Sequence, residues 1–377
     1  DLHIGIKLYN RDLLEDQKIV LRQIVEQAGK ECPDAIVIAG DIYDKAIPSV
    51  EAVGVFDQFV RNLRRTVPNA VIMMISGNHD SAPRVNLYRN ILEEQKIYMV
   101  GMPPQRPEEQ IEKVTLQDAW GNVNFYLLPF VKPSMVKTVV GTEENGNLLS
   151  YQESLRRMME REQIREEERN VCVSHQFYLP VGTGVEQVQR MDSEICTVGN
   201  IDQVSAEILK QFDYSALGHI HKPMKVGGDR IRYCGTPMQY SVSEAGQKKA
   251  ILMVELKEKG TYSVTPIPLN APHEVRIIKG ELNEILKQEC EDYVSVLLTD
   301  RMDLDICDMQ YRLYTAFPNL LEIRRERWDR LDYEMADSQV EMDMDPYLLC
   351  CSFLKDLNEE EKALLKNVIG EVQEEQE

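Results

Sequence analysis

The sequence predicts an α/β fold, with a parallel sheet covered by helices and then a second, β-rich half. Three observations carry this reading. Apolar runs such as Ala35-Ile36-Val37-Ile38-Ala39 and Ala70–Ile75 have strand length and end in polar turns. Segments with apolar residues near helical spacing, such as Leu14, Leu21, Ile24, Val25 and Ala28, lie before and between them. Such alternation indicates parallel strands, whose crossovers need helices. After Val100 it gives way to a hairpin-like pair, 111–117 with 122–128 around Gly121-Asn122, and later to strand-like runs at 231–234, 249–255 and 261–267.

Asp1-Leu2-His3 opens the chain with no strand ahead of it. An Asp-x-His pair needs a strand to hold it, so we expect natural residues to precede Asp1. Leu13 to Lys30 reads as a helix, and strand 34–39 ends at Gly40-Asp41-Ile42-Tyr43-Asp44. Ser49 begins a helix reaching about Arg65. Strand 70–75 runs into Ser76-Gly77-Asn78-His79-Asp80, where Gly77 is expected to permit a sharp exit. A helix from Pro83 to about Gln95 follows. Residues 150–169 are dense in charge and read as an exposed helix with a solvated face. Strand 171–174 delivers His175. Val181-Gly182-Thr183-Gly184 is too incomplete for a phosphate-cradling loop. A helix at 206–212 leads to strand 214–217 and to Gly218-His219-Ile220-His221.

A compact βαβαβ-like module begins near Pro272, with strands at 275–278, 293–298 and 320–325 and helices at 281–288 and 304–317. The expected division is 1–271, 272–328, an acidic linker at 329–345, and two helices within 346–377. The second of these is capped by Asn358 with Glu361 three residues on.

Composition narrows the function. The formal charge is −20, which taken alone argues against nucleic acid. Its distribution matters more than its total. Residues 329–377 hold 15 Asp and Glu against 4 Lys and Arg, leaving −11 there and −9 on residues 1–328. Bound cations would offset several of the remaining carboxylates. The 8 cysteines form no CxxC pair, so no zinc ribbon or thioredoxin motif is present. They read as reduced thiols of a cytoplasmic protein. No apolar run is long enough to span a membrane as a helix.

The chemistry lies at the strand ends. Of 6 histidines, His3, His79, His175, His219 and His221 lie at a strand end or in the turn after it, and only His273 stands apart. Asp1, Asp41 and Asn78 occupy equivalent places. Parallel strands ending on one edge bring such side chains together. In Asp-x-His and His-x-His the two donors share one side of an extended segment. Imidazole and carboxylate donors without thiolate favour Mn, Fe or Zn. Seven donors exceed what one tetrahedral ion uses. They suit two ions sharing a carboxylate, an arrangement used in phosphoryl chemistry.

Asp-x-His, Gly-Asp-x-x-Asp, Gly-Asn-His-Asp, an isolated strand-end His and Gly-His-x-His resemble, in this order, the motifs of the calcineurin-like metallophosphoesterases. Asp41 to Ser49, Gly218 to Pro223, Arg232 to Pro237 and Phe317 to Arg325 narrow the resemblance to the bacterial branch of the Mre-type DNA repair nucleases. The resemblance implies a four-layer α-β-β-α sandwich with a small α/β capping domain. It implies that Asp1, His3, Asp41 and His221 hold one Mn ion, and Asp41, Asn78, His175 and His219 the other. His79 would face the scissile phosphate without ligating. Asp44 would tune His79 or contact substrate through water. Asp80 would either orient His79 or serve as a turn carboxylate.

The same resemblance implies a Mn-dependent exonuclease and endonuclease for DNA end processing, hairpin cleavage, recombination and repair. It would act as a homodimer within a heterotetramer, with its C-terminal helices on an SbcC-type coiled-coil ABC ATPase. Helices 49–66 and 83–95 are the candidate dimer surface. Two alternatives stay open: a small-molecule metallophosphodiesterase, and a scaffold that tethers DNA ends.

Overall fold

Strand Val71–Ile75 is buried on both faces, with every residue 7% exposed or less. That is why it reads as an unbroken apolar run rather than an alternating one. In a computed structural model, which describes residues 1–180 apart from 88, 202–300, 306–326 and 362, it is the centre of a parallel sheet. Its neighbours are Ala35–Ala39, with Ala35 opposite Val71, and Ile97–Val100, with Ile97 opposite Ile72.

Ile72 and Met74 face outward, into a core shared with helices Leu14–Glu31 (Leu21, Ile24) and Val50–Thr66 (Phe56, Leu63). Val71, Met73 and Ile75 face inward and meet Phe125, Leu127, Val171 and Val173 of a second sheet. That sheet has six strands in the order Met224–Lys225, Ile231–Tyr233, Tyr214–Gly218, Arg169–His175, Gly121–Leu128, Glu112–Asp118. Its far face buries Tyr126, Leu128, Cys172 and Leu217 under helices Pro133–Val140 and Tyr151–Arg161. The layers are therefore helix, sheet, sheet, helix, as the family resemblance implied.

Helix Val50–Thr66 starts where expected, because the Ser49 side chain accepts the Ala52 N–H. Four readings need correction, one being the helix expected over 281–288, which is only Leu282–Ile285. The helix expected over 83–95 is two short turns, Ala82–Val85 and Arg89–Glu93. Asn86 between them turns its Oδ1 to the Gly101 N–H at 3.3 Å, and Gly101 sits so close that a Cβ would stand 2.1 Å from Ala82 O. Tertiary contact to the Ile97–Val100 strand end thus breaks the repeat.

The charged helix stops at Arg161, and it is amphipathic: Ser154, Leu155, Met158 and Met159 are buried at helical spacing. Arg169 is no surface charge. It is 3% exposed, begins a strand, and pairs with Asp118. The segment after Ser205 is a short 3-10 turn, Ala206–Leu209.

The module after Pro272 is a three-stranded parallel sheet, Val275–Gly280, Tyr293–Leu298 and Leu320–Arg325, around Ile285, Val294, Val296, Leu313 and Phe317. It is tied to the first helix through Asp16. The Asp16 carboxylate meets His273 Nδ1 at 2.9 Å and accepts the Tyr293 hydroxyl at 3.1 Å. His273 is thus a structural residue. Asp1–Glu326 forms one compact unit. The glycine loop at 181–184, the acidic linker and the C-terminal helices lie outside the described residues. Among the described residues no helix is long and apolar enough to cross a membrane.

Candidate metal centre

The chemistry-bearing turns come from both sheets, rather than from one edge. Asp41 and Asn78-His79 follow strands of the three-stranded sheet, whereas His175 ends and His219 follows a strand of the six-stranded one. Face-to-face packing of the sheets brings these ends into contact. A Cβ on Gly218 would lie 1.7 Å from Ala39 O, and one on Gly40 would lie 2.0 Å from His175 Nδ1. Gly77 is required for the same reason: its Cβ would stand 2.1 Å from Asp41 Oδ1. Close approach, rather than a special backbone angle at Gly77, excludes a side chain there.

Asp1 to Ile4 is held without a strand of its own. Leu2 N and His3 N both donate to Asp41 O, at 2.8 and 2.9 Å, and Ile4 N donates to Ile42 O. Gln17 braces this segment from the first helix, accepting Gly5 N–H and donating to His3 O at 2.9 Å. Tyr240 adds its hydroxyl to Leu2 O at 2.6 Å. His3, Asp41 and His219 have φ of 45°, 42° and 100°. Three left-handed non-glycine residues in one site mark backbone strain where function is concentrated. They also overturn the simple alternation rule for His-x-His. His219 Nδ1 turns to Asn78 Oδ1 at 3.0 Å, while His221 Nε2 turns to His3 Nε2 at 3.1 Å.

At the centre stands Asp41, 1% exposed. Its Oδ2 lies 3.2 Å from His175 Nε2 and 3.5 Å from His3 Nε2, and its Oδ1 accepts the His79 N–H at 2.9 Å. His175 donates Nδ1–H to Ala39 O at 2.9 Å. Its Nε2 faces two acceptors, Asn78 Oδ1 at 2.9 Å and Asp41 Oδ2 at 3.2 Å. Acceptors facing acceptors in a buried site repel unless a proton or a cation lies among them.

Two donor groups suit a metal ion, His3-Asp41-His79 and Asp1-Asp41-His175, and Asp41 belongs to both. The residues thus fit the ions that the motifs imply. Asp1 lies beside His175 (3.4 Å) and accepts the His219 main-chain N–H at 2.8 Å. His79 stands within reach of the His3–Asp41 group.

His79 is oriented by Asp44, but through the main chain: Nδ1 donates to Asp44 O at 2.9 Å. The Asp44 carboxylate stands 3.9 Å from His3 Nδ1. The Asp80 carboxylate is engaged by main-chain groups. Its oxygens accept the N–H groups of Ile42, Tyr43 and Gly77 at 2.9–3.0 Å, which locks the two metal-bearing turns together. It is the turn carboxylate.

Burial would raise the Asp41 carboxyl, but the imidazoles of His175, His3 and His79 hold it well below the ordinary range. Burial holds His3 well below, and His221 below, the usual histidine range, so both are neutral and able to ligate. Burial raises Asp44, and burial with the Asp41 charge raises Asp80.

Sequence reasoning missed the residues behind the centre: Gln17, Tyr240, Glu244, Lys249, Thr236 and Phe130. Phe130 stacks on His219, with ring centroids 6.5 Å apart. Only Thr236 lies within a motif, Arg232 to Pro237; the others lie in none, and residues that meet the site only through tertiary packing carry no periodic signal.

Comparison with known proteins agrees with this geometry. The family model described as calcineurin-like phosphoesterase matches residues 1–223. The chain is 30% identical over 339 residues to the SbcD component of the SbcCD nuclease of Staphylococcus epidermidis, covering 87% of this chain and 84% of that protein. The chain belongs to the calcineurin-like phosphoesterases, in their SbcD-type branch.

Proposed function

We infer that this chain is the nuclease component of an SbcCD-type complex, a metal-dependent phosphodiester hydrolase acting on DNA ends and hairpins with an SbcC-type ATPase. The observation that carries the reading is Asp41, a buried carboxylate shared by two donor groups and flanked by imidazoles from both sheets. We assign His3 and His221 to one ion, Asn78, His175 and His219 to the other, Asp41 to both, and Asp1 to the junction between them. Two divalent ions, Mn foremost, would supply an activated water and neutralise charge on the phosphate.

The chain's own groups do the rest. Buried walls limit water at the centre. Asp44 O accepts the Nδ1–H of His79 and turns Nε2 outward, where with a second proton it would donate to the phosphate and the leaving oxygen. Residues 272–328 would form a cap that positions DNA, and 346–377 the segment that docks on the ATPase. The working form is a homodimer within a heterotetramer in the cytoplasm.

The test incubates purified protein with duplex DNA and Mn beside Asn78→Ala and His79→Ala. General acid–base groups contribute about 10²–10⁴-fold, so His79→Ala should lose on that order of cleavage while keeping its metal. Asn78→Ala should lose cleavage, and His221→Ala should lose metal by elemental analysis. Equal cleavage by wild type, Asn78→Ala and His79→Ala overturns the site assignment. Faster turnover of a generic aryl phosphodiester than of duplex DNA would favour a small-molecule enzyme.

A further inference from the structure

Behind His221 lies a buried charge pair that no motif announced. Glu244 ends the short turn Val242–Glu244 and is fully buried. Lys249, 5% exposed, begins the strand Lys249–Leu256. Glu244 Oε1 faces His221 Nδ1 at 3.3 Å. Its Oε2 accepts Lys249 Nζ at 2.6 Å and meets Thr236 Oγ1 at 3.1 Å. Lys249 Nζ also donates to His221 O at 3.0 Å and to Thr236 Oγ1 at 2.8 Å. One ammonium thus grips both the carboxylate and the main chain of the histidine that the carboxylate faces.

Burying two charges is costly, and apolar residues of similar size often serve stability as well or better. What apolar residues cannot do is choose a tautomer. A carboxylate at Nδ1 holds the proton there and presents the Nε2 lone pair to the far side. On that far side stands His3 Nε2, 3.1 Å away. His79 and His175 are oriented differently, by the main-chain carbonyls of Asp44 and Ala39.

We propose that Glu244 is a positioning residue for His221, fixing its Nδ1–H tautomer and strengthening Nε2 as a metal donor, and that Lys249 with Thr236 holds Glu244 ionised and aimed. The proposal rests on the reading of His221 as a ligand. Carboxylates behind ligating histidines raise the basicity of the ligand, and their loss costs about 10–100-fold in metal affinity.

The test uses the full chain and Mn²⁺ as probe. Glu244→Leu alone would strand a buried ammonium, so it is paired with Glu244→Leu/Lys249→Met, which removes both charges and the acceptor at Nδ1. Mn²⁺ affinity and stoichiometry are measured by calorimetry. The tautomer is read from ¹⁵N chemical shifts of labelled histidine in metal-free protein, with His221 assigned through its loss in His221→Ala. Metal-free melting curves confirm that each variant is folded.

Wild type should show a protonated Nδ1. The double variant should shift toward Nε2–H and bind the weaker ion about 10–100-fold less tightly. An unchanged His221 tautomer with wild-type affinity in the folded double variant overturns the proposal. The two readings fail separately: if His221→Ala keeps full metal stoichiometry and affinity, His221 is not a ligand, whatever Glu244 does.

Discussion

A Cβ on Gly77 would stand 2.1 Å from Oδ1 of Asp41, so the turn after one strand is packed against the shared carboxylate of the next. Gly77→Ala must push one turn away from the other. Overpacking of this kind costs about 1–3 kcal/mol. The larger effect should be functional, because Asp41 serves both donor groups. We expect the variant to fold with a lowered melting temperature and to lose Mn²⁺ stoichiometrically by elemental analysis. Retention of full metal content would show that the turn can relax without moving Asp41.

Asp80 supports that same junction. Its two oxygens accept three main-chain N–H groups, from Ile42, Tyr43 and Gly77. Asp80→Asn keeps the shape but replaces one acceptor with a donor that faces another donor. Leaving a buried donor unsatisfied costs about 1–3 kcal/mol. Denaturant unfolding in chelator should show a loss of that size. Because the Asp80 oxygens are engaged by main-chain N–H groups, the shape of the pH–rate profile should not change. A displaced profile would mean that Asp80 acts on His79 after all.

Acid should destabilise the metal-free protein near neutrality. Burial holds His3 well below, and His221 below, the ordinary histidine value near 6.5. The unfolded chain titrates both near that value. Below about 6.5 the unfolded chain therefore takes up protons that the folded chain refuses, and stability falls with pH. The contribution is complete above about 6.5 and lost progressively below it. Asp41, held low by its imidazoles, adds a further loss below about 3.9. Melting in chelator at falling pH checks this. A flat melting temperature between about pH 7.5 and 5.5 would contradict it.

The link between the first helix and the C-terminal module is open to a single substitution. Asp16, 5% exposed, meets both His273 and Tyr293. Asp16→Ala leaves the buried Tyr293 hydroxyl without this acceptor, at a cost of about 1–3 kcal/mol. Limited proteolysis should cut more readily between residues 270 and 292, with metal content unchanged. Proteolysis identical to wild type would show that other contacts, such as Arg11 to Pro318 O at 2.8 Å, suffice.

Much of this was legible in the residues. Strands Tyr293–Leu298 and Leu320–Arg325 fall on their expected bounds, because short β-rich runs between polar turns are a local signal. The helix over Val50–Thr66 was marked by its Ser49 cap. The helix expected over 83–95 failed because Gly101, distant in sequence, pins Asn86. The extended geometry assumed for His-x-His failed because packing drives His219 to a φ of 100°. The Glu244–Lys249 pair left no trace in the pattern, since it owes its meaning to a histidine 23 residues away.

The sequence by itself determined the motifs and that Asp41, Asn78, His175 and His219 stand at or just after the end of a strand, because apolar periodicity and motif spacing are properties of neighbours along the chain. Only the tertiary structure decided how they meet. Two sheets packed through Met73, Ile75, Leu127 and Val173 bring His79 and His175, with the Asp1–His3 segment, to Asp41. The same packing leaves no room for a Cβ on Gly40, Gly77 or Gly218, and turns His219 and His221 to different partners. Such contacts follow from close packing between distant segments, which no local pattern encodes.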